Sequence, residues 1–251
     1  MIEYNKAFGV SIQMPKALFV RRLDMKKKVF YTEAAYVFGL AVLALSAALL
    51  EAADFGLSMV VAPAYLLHLK ISEFLPFFSF GMAEYTFQAL LLILVIVILR
   101  KFKFSYLFSF VTAVLYGLLL DGAMAAVDFI PTEHIAVRII MFICGIIFCA
   151  SSVSMLFHTY ISPEVYELFV KEVSVKIGME ISRFKTFYDC SSCVLAVIMS
   201  FAFFGFGHFE GIKFGTVICA LLNGFLIGKF SKFYEKHFEF NDKLKFRKYF
   251  E

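Results

Sequence analysis

The chain has 251 residues, 61% of them apolar and 34 of them Phe, with 24 Lys and Arg against 20 Asp and Glu. Soluble domains carry about 45–50% apolar residues, so a surplus of this size excludes a water-soluble globular protein, whose small core could not hide it. Five cysteines are an odd number, which excludes a complete set of internal disulfides.

Residues 1–32 carry scattered charge instead of a short apolar run and a small-residue cleavage site, so an uncleaved, basic, amphipathic N-terminal segment is expected there. Apolar runs of membrane length then predict spans at 33–52, 81–99, 106–127, 136–157, 189–206 and 213–230. Residues 231–251 form a basic tail interleaved with Phe and Tyr. Six spans put both termini on one side. Lys and Arg collect in cytoplasmic loops, and 21 of the 24 fall before span one, between spans two and three, between spans four and five, or in the tail. Lys70, Arg138 and Lys213 remain for the other face. The distribution predicts a multi-pass protein of a cell membrane with both termini cytoplasmic.

Residues 55–71 are apolar enough to compete as a further span, but counting them would carry Arg100, Lys101 and Lys103 to the outer side. A re-entrant or interfacial segment broken at Gly56 and Pro63 fits the charge rule better. Residues 163–180 are expected to form an amphipathic helix at the cytoplasmic face. The basic aromatic tail and the stretch near Arg21 predict contact with anionic inner-leaflet lipid. No recognition fold surrounds these basic residues, so nucleic acid is not an expected partner.

The two halves of the sequence align. Gly39 matches Gly145 at a separation of 106, Glu84 matches Asp189 at 105, and Tyr116-Gly117 matches Asn223-Gly224 at 107. Each half holds three spans, an odd number, so the second half enters the membrane from the opposite side. The expected fold is therefore all-α, with six transmembrane helices in two inverted three-helix repeats, 33–128 and 136–230. Each repeat carries a short non-spanning helix.

Asp54-Phe55-Gly56-Leu57-Ser58 after span one resembles an Asp-Leu-Gly-x-Ser-Pro pattern, with Met59 at the position of the Pro. Gly215-Thr216 and Leu222-Asn223-Gly224 resemble a Gly-Thr and small-residue pattern in span six. On these residues the chain resembles the YitT/YczE-like family of uncharacterised bacterial multi-pass membrane proteins. That resemblance implies a bacterial cell membrane location and the fold, and it implies no activity.

Ionisable groups within spans cost about 2.5–3.5 kcal/mol each on insertion scales, so each is a candidate for function. Glu51 and Asp54 at the end of span one, Glu84 and Gln88 in span two, and Asp121 in span three are expected to form an acidic outer vestibule. Its charge would attract an amine, a metal cation or a proton. The competing reading of Glu51, Asp54 and Asp128 is that they mark span ends and cap helices. The mirrored inner set is His158, Asp189 and Asn223. Cys190-Ser-Ser-Cys193 lacks a second such pair, and the Gly205–Gly211 stretch lacks the strand-to-helix context of a nucleotide site, so no metal site and no cofactor are expected. No nucleophile and base arrangement is legible, and an enzyme is not expected.

Ala44, Ala48 and Ala52 form a small-residue stripe. It packs either against the chain's own helices or against a partner membrane protein. The functional expectation is a small-solute transporter or a membrane substrate-binding component, for a cationic solute or coupled to a cation. The alternative is a non-transporting accessory protein that binds a partner or lipid.

Overall fold

A computed structural model describes residues 27–162, 164–179, 181–205, 213–244 and 247. In chain order these form β1 (Lys28–Tyr31), α1 (Thr32–Ala53), α2 (Ala62–Ser72), α3 (Phe80–Leu99), α4 (Ser105–Val127), α5 (Ile135–Phe157), α6 (Val165–Ile177), α7 (Ile181–Phe204), α8 (Phe214–His237) and β2 (Phe238–Asn241). Six of the eight described helices are long and apolar enough to cross a membrane. Their outward residues are themselves apolar: Val37, Phe38, Ile93, Val97, Leu118 and Ile140 are all exposed. Such a surface suits lipid rather than water.

The core is the crossing of α1 and α5. Ala44 and Ala48 are buried there within the chain, among Leu40, Leu50, Ile146 and Leu156. Two residues of the small-residue stripe are thus covered by the protein's own helices, which small side chains let approach closely, and Ala52 is partly buried. Two glycines make reciprocal contacts across this crossing. A methyl group at Gly39 would lie 3.2 Å from the Leu156 side chain and 3.5 Å from the Ser152 carbonyl. One at Gly145 would lie 2.8 Å from Leu50 and 3.3 Å from the Ser46 carbonyl. Ser46 Oγ also donates to the Gly145 carbonyl at 2.9 Å.

Helices α4 and α8 flank this crossing, α4 against α1 and α8 against α5. The two short helices take matching places. α2 packs along α7, where Ser192 Oγ donates to the Met59 carbonyl at 3.0 Å. α6 packs along α3, where Val165 N–H donates to Gln88 Oε1 at 3.0 Å. Each short helix thus begins beside the middle of a long one. α2 runs to the end of the bundle that holds Asp54, since Lys70 reaches the Phe204 ring. α6 runs to the other end, where Lys103 binds Glu172.

Three sequence expectations change here. α6 is not a surface helix: Val165, Tyr166, Val170 and Val173 are buried, and the helix packs against α3, α4 and α7. α7 begins at Ile181, so Lys185 and Asp189 are helical residues rather than a loop and a span end. The start of the tail is tied down: α8 continues to His237, and β2 pairs in parallel with β1, Phe238 opposite Lys28 and Asn241 opposite Tyr31. Phe30, Tyr234, Phe238 and Phe240 cluster with Ala35 and Met155, so these aromatics pack on one another. The segment 1–26 and the Gly205–Gly211 stretch beyond Gly205 lie outside the described residues.

Candidate functional site

A cavity of ≈ 290 Å³ lies where α1, α5 and α8 meet the starts of α2 and α6. Its walls are largely apolar, with Leu43, Ala47, Val60, Val153 and Ile227 among them, and its polar residues gather from α6, α7 and α8. Glu164, Glu167, Lys185, Asp189 and Asn223 all line it. The volume suits a small solute, since ligand pockets start at about 300 Å³.

Glu164 stands at the start of α6, held at depth by the chain before it. Tyr36 of α1 bonds Thr112 of α4 at 2.8 Å, and Thr112 Oγ1 bonds the Ser162 carbonyl at 3.0 Å. The Gln88 amide group then bridges two carboxylates, donating to Glu164 Oε2 at 3.1 Å and to Glu84 Oε2 at 3.4 Å. Its carbonyl accepts from Val165, and Tyr166 Oη donates to Glu84 Oε2 at 2.8 Å. Glu84 and Gln88 are fully buried, and Glu164 is 7% exposed. Burial first, and the neighbouring Glu84 charge second, push the Glu164 carboxyl up to about 8.

Lys185 binds Glu167 at 2.8 Å and stands 3.7 Å from Asp189. It therefore balances the two acids of its own end of the cavity and is not bonded to Glu164. Four acceptor atoms, Glu84 Oε1, Glu164 Oε1, Asp189 Oδ1 and Asn223 Oδ1, are buried without a hydrogen-bond partner among the described residues. Three of their residues face the cavity. Asn223 donates one N–H to Cys149 Sγ at 3.7 Å.

The other expected site residues are placed elsewhere. Asp54 is not on the helical face of Glu51: α1 ends at Ala53, and Asp54 is its left-handed C-cap, φ 55°. It pairs with Arg138 at 2.9 Å and with Lys213, while Arg138 Nε caps the Ala53 carbonyl at 2.9 Å. Glu51 accepts from Tyr65 at 3.2 Å beside a cleft of ≈ 20 Å³, room for roughly one water. Asp121 completes a helix start, accepting from Gly81 N–H at 2.7 Å and from Ser79 Oγ at 2.6 Å, while Ser79 Oγ accepts from Met82 N–H. These bonds satisfy two of the N–H groups that open α3. His158 stacks on Phe240 and bonds the Ser154 carbonyl at 2.7 Å, away from the cavity. Glu84 with Gln88 and Asp189 with Asn223 thus reach the central site, and Glu51, Asp54 and Asp121 belong to the Asp54 end.

Sequence reasoning missed Glu164, Tyr166, Glu167 and Lys185. One signal was available: Glu164 directly follows Ser162-Pro163, which aligns with Ser58-Met59 of the first half. No group of three or more His, Cys, Asp or Glu is arranged to hold a metal among the described residues.

A bundle of six membrane-length helices with two half-length helices meeting at an internal cavity defines a multi-pass α-helical membrane protein. The family model of DUF6198, a family of unknown function, matches residues 30–232. The chain belongs to that family. The match gives an uncharacterised family and does not carry the YitT/YczE-like name. No curated protein matches the chain, and no solved structure does.

Proposed function

We propose that this protein is a small-solute membrane transporter, or the membrane-embedded substrate-binding component of one, and that its solute is a cation bound in the central cavity. The observation that carries the reading is chemical. Glu164 and Asn223 line one cavity and each keeps a buried acceptor without a hydrogen-bond donor, and Asp189 beside them has only Lys185 at 3.7 Å; a buried acceptor left without a donor costs about 1–3 kcal/mol. A protonated amine supplies several N–H donors and a positive charge. Helix starts oppose this sign, since α2 and α6 both begin at the cavity, but each contributes only about half a positive charge. Once the Glu164 carboxyl is ionised, carboxylates outnumber Lys185 three to one among the lining residues, so the sum then favours a cation.

The transport part rests on internal symmetry. An inverted repeat relating α1–α4 to α5–α8 is supported by the reciprocal Gly39 and Gly145 contacts and by the matching seats of α2 on α7 and α6 on α3. The halves differ at one place. α3 and α4 pack tightly, where a methyl on Gly117 would lie 2.7 Å from the Gly81 carbonyl, whereas α7 and α8 barely touch and Gly224 faces open space among the described residues. A repeat closed in one half and parted in the other is what alternating access requires. Kinship with YitT/YczE-like proteins and cytoplasmic termini belong to the same proposal.

The test is a thermal-stability screen of the purified protein against amines, metal cations, carboxylates, nucleosides and vitamins, because a ligand stabilises what it binds. An amine that raises Tm in the wild type and not in Asp189→Asn or Glu164→Gln supports the reading. Stabilisation by carboxylates alone removes the cationic solute. Silence across the screen favours the accessory protein.

A further inference from the structure

The cluster of Glu84, Gln88, Glu164 and Tyr166 has more acceptors than donors, and two carboxylate oxygens are left over. Gln88 brings two N–H groups and spends both, one on each carboxylate; its oxygen is taken by Val165. Tyr166 spends its O–H on Glu84. Glu84 Oε1 and Glu164 Oε1 remain without a donor although both are buried. Two carboxylates gripping the same amide, with no lysine or arginine bonded to either among the described residues, would set two like charges side by side out of water. A carboxylic acid is the one group present that changes from acceptor to donor by gaining a proton.

We propose that Glu84 and Glu164 share a single exchangeable proton, held between α3 and the start of α6 and reached from the central cavity through Glu164. The proton is the coupling ion of the transport reading above, on which its role, though not its presence, rests. The groups facing the pair come from every side. α4 presents Tyr116, and α6 presents Tyr166 and Glu167. α7 presents Lys185 and Tyr188, with Asp189 beyond, and α5 presents Cys149. Lys185 is the one cation of this set and is committed to Glu167 and Asp189, so it does not neutralise the pair. Glu164 lines the cavity whereas Glu84 does not. A proton leaving the pair, or a cation arriving to replace it, passes Glu164. No bond other than O–H is made or broken: the proton goes to water in the cavity, and the pair is left doubly ionised until a proton or a cation returns.

The measurement is infrared difference spectroscopy of the full chain in lipid discs, taken between about pH 6 and about pH 10, above the ordinary glutamic acid range near 4.3. The expected result is loss of one protonated-carboxyl stretch on raising the pH. That stretch is shifted or lost at about pH 6 in Glu84→Gln and in Glu164→Gln, and it is unchanged in Glu51→Gln. Gln copies the shape and donor pattern of a protonated Glu, so both variants keep the fold, and either suffices if the other misfolds. Butylammonium added at about pH 6 is the second probe. If the stretch follows both glutamates and the amine leaves it unchanged, the proton site stands and the cationic-solute reading falls. If neither Gln variant alters the carboxyl region at pH 6, both groups are ionised and the proposal is overturned.

Discussion

Gln88 reaches Glu164 at 3.1 Å across 76 positions of sequence, and the same amide group holds Glu84 on its own helix at 3.4 Å. One neutral side chain therefore joins a membrane-length helix to the start of a half-length one and supplies the donors for two buried acids. Replacing it with Leu leaves Glu164 and the Val165 N–H without partners and Glu84 with Tyr166 alone. Each buried group so orphaned costs about 1–3 kcal/mol, and Gln88→Leu should lower stability by about 3 kcal/mol or more. Adding Glu84→Gln should recover part of the loss, because the new amide brings donors back. Chemical unfolding of the three variants in detergent checks this. An additive double variant would mean that the bridge is not shared.

The raised Glu164 carboxyl gives a pH dependence whose sign can be worked out. The unfolded chain releases this proton near pH 4.3, whereas the folded protein holds it up to about 8. Between those values the folded state binds more protons, so unfolding becomes easier as pH rises. Stability should decline from about pH 5 to about pH 8 and then level off. In Glu164→Gln that decline should shrink, and the variant should be the more stable of the two at the alkaline end. Tm against pH for both proteins is the check; a wild-type curve flat over this range would show that the carboxyl carries no proton there.

Asp121 should behave as a helix-capping residue and not as a solute ligand. It accepts the Gly81 N–H and the Ser79 hydroxyl that together open α3. Loss of a capping side chain costs about 0.5–2 kcal/mol, so Asp121→Ala should lower Tm while the shift produced by any stabilising amine stays at its wild-type size. The same amine should lose its effect in Asp189→Asn. Equal loss of the ligand shift in both variants would bring Asp121 back to the binding site.

How far the sequence was legible follows from what each segment does. Four of the six spans were readable to within about a residue of the observed helices, because lipid imposes one length and one composition. α2 was readable as non-spanning from Gly56, Pro63 and the charge rule, and its Pro63 falls in the first turn. α6 was misread because its four charged residues looked like a water-facing side. Its Val165, Leu168, Phe169 and Val170 had no visible partner until α3 and α7 closed over them. The same blindness hid the site. Glu84 and Gln88 were visible as costly residues in a span, whereas Glu164 fell in the expected surface helix 163–180 and Lys185 among the loop charges, and no local pattern reports that residue 164 returns to the level of residue 88.

The crossing of α1 and α5 offers a test of the repeat that needs no ligand. A methyl at Gly145 meets Leu50 at 2.8 Å, and one at Gly39 meets Leu156 at 3.2 Å. Contacts of the first kind force a side chain to move, whereas the second kind asks for a few tenths of an ångström. Overpacking a close-fitted core costs about 1–3 kcal/mol, so Gly145→Ala and Gly39→Ala should both destabilise, the former more. Shortening the opposing side chain should compensate within each pair: Leu50→Ala should offset part of the Gly145→Ala cost, and Leu156→Ala part of the Gly39→Ala cost. Residues in contact couple by about 0.5–3 kcal/mol, whereas distant ones add. Crossing the pairs, Gly145→Ala with Leu156→Ala, should therefore give simple addition. Coupling of similar size in the two matched pairs is what a two-fold relation between the halves demands, and coupling in one alone would leave the repeat as a resemblance of sequence without equivalence of packing.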